Sequence, residues 1–302
     1  MYDHGMKILI TGATGFIGQK LCESLKDEHE VFALVRNLKS AEKKLPGIKL
    51  ISWPDIHSSF EINESKLDVV INLMGENIAG ARWSEERKKS LYDSRIIGTK
   101  NLFKQLKSTS ISTFIQASAV GYYGDSGDER VDENSSIGQG FLAKICENWE
   151  NEAKIHRDQY ERLCIFRLGV VLGENGGALE KMLPAFKFGV AGKLGNGEQY
   201  MPWIHRDDVI GLIKKAIETQ SWMGVYNAVS PNPVTNLEFT KTLGDVLSRP
   251  TILPAPEFAL KLILGDMSRV LLDGQRALPT KALEAGYQFK YKEVRPALSA
   301  IV

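Results

Sequence analysis

Three evenly spaced glycines, Gly12-Ala-Thr-Gly15-Phe-Ile-Gly18, follow the short apolar run Lys7-Ile8-Leu9-Ile10-Thr11 and open a stretch with helical apolar spacing, Phe16 to Leu25. This order of strand, glycine loop and helix constrains the chain more than any other feature. The strand must turn tightly, the backbone must come close to whatever the loop holds, and the helix must pack closely on the sheet. Each step favours a residue without a side chain. The first turn of such a helix carries unpaired N–H groups and the positive end of its dipole, an arrangement suited to phosphate. The spacing is G-x-x-G-x-x-G rather than G-x-G-x-x-G. A glycine turn without a ligand is the competing reading, and the strand before and helix after count against it. Gly12, Thr14, Gly15, Phe16, Ile17 and Gly18 are therefore expected to cradle a pyrophosphate.

The rest of the first half repeats this rhythm. Apolar runs stand at 30–35, 50–53, 67–74, 113–117 and 163–171, with helix-like stretches at about 85–107 and 141–157. Strands apolar at every position and separated by helices argue a parallel sheet covered on both faces. Right-handed crossovers then give a doubly wound α/β sheet of the Rossmann type. Glycines crowd residues 173–197 and prolines punctuate the tail, which reads as a smaller, looser unit. The expected division is a dinucleotide-binding domain over 1–172, rejoined by about 205–228, and a smaller C-terminal substrate-binding domain over 173–204 and 229–302. A length of 302 residues is ample for both;.

The second strand bears on which dinucleotide is bound. An NAD site usually places Asp or Glu at this strand's end, on the ribose 2′-hydroxyl. Here the strand ends Val35-Arg36-Asn37, with Lys39, Lys43 and Lys44 close behind. Arg36 could pair with a 2′-phosphate through its charge and planar fork of donors, which favours NADP(H) over NAD(H). A solvated basic loop is the competing reading. At the carboxyl end of the fourth strand, where ligands of open α/β sheets bind, stand Leu73, Met74 and Gly75;.

Composition narrows the partners. Lys+Arg number 38 against 37 Asp+Glu, a formal charge of +1, without the basic excess of a protein built on nucleic-acid phosphates;. No run approaches the ~18 apolar residues of a membrane span. The stretch from Phe258 to Leu272 is apolar but carries only Lys261 and Arg269 against Asp266, which fits a core-facing or dimer-facing helix better than a membrane-surface one;. The three cysteines, Cys22, Cys146 and Cys164, read as reduced thiols, and the five histidines form no metal cluster;. Residues 1–5 read as a polar, dispensable leader rather than a signal peptide;. The expectation is a cytoplasmic protein with a small-molecule substrate, no metal, no nucleic-acid or membrane partner, and room for a homodimer.

The segments ILITGATGFIG (8–18), INLMGENIAG (71–80), RIIGTKNL (95–102), ASAVGYYG (117–124) and WIHRDDV (203–209) resemble the NAD(P)-dependent epimerase/dehydratase group, the extended short-chain dehydrogenase/reductases. GFLAKICENWE (140–150), RLGVVLGENGGAL (167–179), GEQYMPWIHRDD (197–208) and the tail at 265–289 are similar to its atypical "epimerase family protein" subgroup. The resemblance implies a cofactor site that also takes in Ala117, Arg167 and Leu168, near where the superfamily holds the nicotinamide amide. It also implies a Tyr-x-x-x-Lys pair on one helix, with the ammonium lowering the phenol's pKa, and a Ser or Thr after the fifth strand. In this chain Lys144 lies in the right region, but Gly140 stands four residues earlier. The usual acid is missing. Ser118 is the candidate partner for a carbonyl oxygen, Lys144 the anchor of the ribose, and Tyr122 or Tyr123 the substitute acid. The competing readings are a surface lysine and two packed tyrosines. His205 is a further acid/base candidate by chemistry, although the superfamily uses this segment to tie its second domain to the sheet. The leading expectation is an NADP-binding oxidoreductase or epimerase acting on a small molecule. The other is an NADPH-binding sensor or docking protein without turnover, which the missing tyrosine favours.

Overall fold

The computed structural model describes residues 5–302, so the first four residues of the expected leader lie outside the described residues. The strands are β1 (Lys7–Thr11), β2 (Glu30–Val35), β3 (Lys49–Ser52), β4 (Lys66–Asn72), β5 (Ser110–Ala119), β6 (Arg130–Val131), β7 (Tyr160–Leu168), β8 (Val170–Leu172), β9 (Tyr200–Met201), β10 (Trp203–His205), β11 (Gly224–Ala228), β12 (Val234–Thr235) and β13 (Arg276–Ala277). The main helices are α1 (Phe16–Leu25), α2 (Leu38–Lys44), α3 (Glu85–Tyr92), α4 (Gly98–Gln105), α5 (Phe141–Ile155), α6 (Gly177–Lys187), α7 (Arg206–Glu218), α8 (Asn236–Leu247) and α9 (Glu257–Leu264).

Seven parallel strands form one sheet in the order β11-β7-β5-β4-β1-β2-β3, the Rossmann-like sheet expected from the sequence. Successive side chains of a strand point to opposite faces. Ile8 and Ile10 of β1 enter a core with Leu21 and Leu25 of α1 and Ile213 and Ile217 of α7. Leu9 between them enters the opposite core, with Phe103 and Phe114. Each such side chain contributes about 1.5–3 kcal/mol by leaving water. This two-sided burial is why the strands read as unbroken apolar runs. From β1 the chain lays down β2 and β3 on one side, then crosses back to β4, β5, β7 and β11 on the other. The reversal opens a crevice at the carboxyl ends of β1 and β4, where ligands of such sheets bind.

Two expectations need correction. The sixth apolar run does not form one strand: β7 stops at Leu168, Gly169 N–H donates to Ala228 O, and Val170 N–H donates to Pro202 O. The chain thus leaves the main sheet, and β8 pairs with β10 instead. Periodicity could not reveal a change of partner inside an apolar run. For the front of the 258–272 stretch the core-facing alternative fails, while the dimer-facing one is untouched. No residue of α9 is buried, and Phe258, Leu262 and Ile263 are largely exposed. A third core, built on Leu172, Leu179, Trp203, Phe239 and Leu298, holds the C-terminal elements together. Among the described residues no helix is long and apolar enough to cross a membrane.

Candidate functional site

The glycine loop leaves β1 at the crevice. Gly12 has φ +66°, and a Cβ there would stand 2.5 Å from Leu73 O. A Cβ on Gly18 would collide with Gly12 O and the Ala13 backbone, so α1 packs on the loop only because position 18 has no side chain. Gly15 differs: its φ is −81°, its nearest obstacle is Gly12 O at 3.1 Å, and it is exposed. No side chain caps α1 at Gly15, and the first N–H groups of the helix, on Phe16, Ile17 and Gly18, have no intrahelical acceptor;. This cradle fits a dinucleotide pyrophosphate, and a side chain at position 15 would fill it. Gln19 Nε2 fixes the loop by donating to Thr14 O at 2.9 Å. The Phe16 ring lies under the Arg206 guanidinium, 4.6 Å from its centroid, and against Gly173, Gly176 and Gly177, so its side chain packs against the protein. Arg36 leaves the neighbouring strand β2 exposed. Asn37 caps α2 by accepting from Ser40 N–H at 3.0 Å.

Beneath the crevice lies a polar network that sequence reasoning largely missed. The fully buried Asn72, last residue of β4, accepts from Thr11 Oγ1 at 2.6 Å and donates to Thr99 Oγ1 at 2.8 Å and Gln116 Oε1 at 2.9 Å. It locks the ends of β1, β4 and β5 in register under Leu73, Met74 and Gly75. A partly buried Arg95 backs Gly75: its guanidinium donates to Glu76 O and Leu91 O and lies 5.2 Å from the Trp149 ring centroid. Burial holds the Arg95 pKa below its usual value. Arg95 sits in a π-helical turn, 93–97, between α3 and α4, a local irregularity frequent at functional sites;.

A second buried chain of bonds joins β5, α5, β7 and β11. Ser118 Oγ donates to Glu150 Oε1 at 2.8 Å. Arg167 Nε and Nη2 donate to the two oxygens of the same carboxylate at 2.8 and 3.0 Å. Arg167 Nη1 donates to Tyr123 Oη at 2.9 Å, and Tyr123 donates onward to Asn227 Oδ1 at 2.7 Å. Glu150 is fully buried and Arg167 3% exposed. The desolvation cost is met by a bidentate pair with additional partners. Ser118, 1% exposed, thus commits its proton to Glu150, and Arg167 spends its donors inside the protein. The Tyr123 phenol, pushed up to about 12 by burial, is held by two partners. Tyr122 differs. Its ring lies 3.4 Å from the Arg167 guanidinium, it is only partly buried, and its hydroxyl makes no protein hydrogen bond among the described residues. Ala117 and Leu168 line the same core beside it.

The α5 face turned towards β5 carries Leu142, Cys146 and Glu150. A Cβ on Gly121 would stand 3.3 Å from Leu142 Cβ and 3.9 Å from Cys146 Sγ, and Glu150 meets Ser118. These positions are four residues apart, the spacing of one helix face. Lys144 points away: its side chain is 68% exposed and pairs with Glu147 at 2.6 Å. The role expected of Lys144 therefore needs correction. The helix phase is displaced by two residues from the sequence reading, and the inward i, i+4 pair is Leu142 and Cys146. The apolar stripe Ile145, Cys146, Trp149 and Ala153 marks this inner face, with Glu150 as the one acid on it. That stripe was the available signal. Burial pushes the Cys146 thiol up to about 11, so it is not a thiolate. In front of this face lies a small cavity lined by Trp83, Gln139, Phe141, Leu142, Arg269 and Gln275. His205 stands apart from it, capping α7 by accepting from Asp207 N–H at 3.1 Å while its ring packs 4.0 Å from that of Tyr291.

The chain has clear relatives. Residues 8–228 match the model of the NAD dependent epimerase/dehydratase family, and residues 255–301 match a domain of unknown function, DUF1731. The chain is 42% identical to the epimerase family protein SDR39U1 homolog, chloroplastic, of Arabidopsis thaliana, over 98% of this chain and 87% of the relative. It is 38% identical to the epimerase family protein ML0860 of Mycobacterium leprae, over 97% of this chain and 94% of the relative. The crystal structure of human epimerase family protein SDR39U1 (isoform 2) with NADPH superimposes with a TM-score of 0.87 at 34% identity, covering 98% of this chain and 99% of that one. Glycine cradle, switch-point crevice and family match agree: the chain belongs to the NAD(P)-dependent epimerase/dehydratase family.

Proposed function

We propose that the protein is an NADP(H)-dependent oxidoreductase of small carbonyl or alcohol substrates, with Tyr122 as the proton donor and acceptor in place of the absent helix tyrosine. The observation that carries this reading is the state of Tyr122, a phenol anchored over Arg167 whose hydroxyl is left free beside the α5 face. The Gly12–Gly18 loop would hold the pyrophosphate, Arg36 the 2′-phosphate, and the backbone at Leu73–Gly75 the ribose. The SDR39U1 structure with NADPH supports the choice of cofactor. When bound, NADPH supplies the hydride. Tyr122, its ring held over the Arg167 guanidinium, gives a proton to the carbonyl oxygen;. The substrate would meet Tyr122 over the α5 face at Leu142, with residues 173–204 and 229–302 as the substrate-binding unit.

The test is loss of NADPH absorbance against a panel of aldehydes and ketones. Tyr122→Phe should lower kcat by about 10²–10⁴-fold with NADPH affinity unchanged. Full turnover in Tyr122→Phe would reject the assignment. A second reading, an NADPH sensor without turnover, is favoured by Leu142 and Cys146 standing at the inward pair. It gains if NADPH binds tightly and no member of the panel is reduced.

A further inference from the structure

We infer that the groove between β6, β13 and the loop at residues 231–233 is a second binding site, separate from the cofactor crevice, for a small doubly charged anion: a phosphate ester or a dicarboxylate. β6 and β13 pair in parallel with Arg130 directly opposite Arg276. Partners in register point to the same face, and neighbouring strands lie only about 4.7–4.9 Å apart. Like charges placed this way repel. Arginine cannot relieve the repulsion by losing its proton.

No carboxylate among the described residues touches either arginine: no carboxylate oxygen lies within 4.0 Å of either guanidinium, and neither guanidinium makes a hydrogen bond. The acids next in sequence are engaged elsewhere or turned away. Asp132 accepts from Asn134 N–H, and Glu133 accepts from Asn227 N–H and Lys281 N–H. Asp128 and Glu129 are exposed and reach neither arginine. Arg276 is partly buried and packs 4.8 Å from the Tyr200 ring centroid, which fixes its fork in place.

Both arginines line an open groove of about 520 Å³, the size of small-molecule sites;. Pro231, Pro233, Leu278 and Leu283 form its apolar walls, and Glu284 is the one carboxylate on its rim. Two adjacent planar forks match the oxygens of a phosphate or a pair of carboxylates. The groove shares no lining residue with the cavity in front of α5.

The experiment is calorimetric titration of the full chain, saturated with NADPH, with inorganic pyrophosphate and separately with succinate. R130Q, R276Q and the double variant are titrated alongside. At least one probe should bind the unaltered protein, and its Kd should rise about tenfold or more in either single variant. Pyrophosphate binding alone identifies a phosphate ligand, and succinate binding alone a dicarboxylate. Arg130 is exposed, so R130Q keeps the fold, and the melting temperature of each variant verifies this. Absence of binding by both probes, unchanged binding in the double variant, or an equal response to chloride at matched ionic strength would overturn the assignment.

Discussion

Gly15 separates ligand binding from folding at the scale of single residues. Its φ of −81° suits any residue, but a Cβ would stand 3.1 Å from Gly12 O, so the loop must give slightly. Gly15→Val should therefore abolish NADPH binding while lowering the melting temperature without nucleotide less than Gly18→Val does. Gly18→Val should instead overpack the joint between α1 and the loop and cost about 1–3 kcal/mol, read by urea denaturation;. If Gly15→Val binds NADPH normally, the pyrophosphate lies elsewhere. The loop was legible in the sequence because it is local, with its strand, turn and helix inside a dozen residues. Tyr122 and Tyr123 were not separable that way. One is free and the other bonded only because Arg167 and Asn227, 44 and 104 residues away from Tyr123, arrive beside it.

At the scale of elements, the Glu150–Arg167 pair ties α5 to β7 and, through Ser118, to β5. Removing one partner leaves the other charged and buried. Glu150→Ala should cost about 3–5 kcal/mol, and replacing both residues by Met should cost less than that single change. Equal costs for the single and double variants, or a loss below about 1 kcal/mol, would show the pair to be dispensable. Arg167 and Ser118 are legible in the sequence; their partner Glu150 is not marked by any family spacing on α5, only by its place on the helix's apolar face. Helix α7 adds a pH dependence. Burial lowers the His205 pKa, so the folded state favours the neutral imidazole whose Nδ1 caps the helix. A base with a depressed folded pKa contributes stability that is present above its unfolded pKa of about 6.5 and is lost as pH falls below it. Stability between pH values of about 7.5 and 5.5 should therefore fall more steeply in the unaltered protein than in His205→Asn, which keeps a cap but does not titrate. Identical slopes would remove His205 as the source. The variant comparison matters because Glu133, Asp208 and Asp273, raised by burial, act with the opposite sign.

At the scale of the molecule, the order of the seven strands puts the loop after β1, Arg36 after β2 and Leu73–Gly75 after β4 on one rim. Alternation of apolar runs was enough to predict the sheet. It did not reveal where the chain leaves the sheet at Gly169, which depends on contacts between distant segments. The central claim is that this rim binds NADPH and distinguishes it from NADH through Arg36. The most direct test is calorimetric titration of both nucleotides into the unaltered protein and Arg36→Ala. Charge-assisted bonds to a phosphate contribute about 1.5–3 kcal/mol, so NADPH should bind roughly ten- to hundredfold more tightly than NADH, and Arg36→Ala should erase most of the difference. Equal affinities in the unaltered protein, or a preference that survives in Arg36→Ala, would contradict the account.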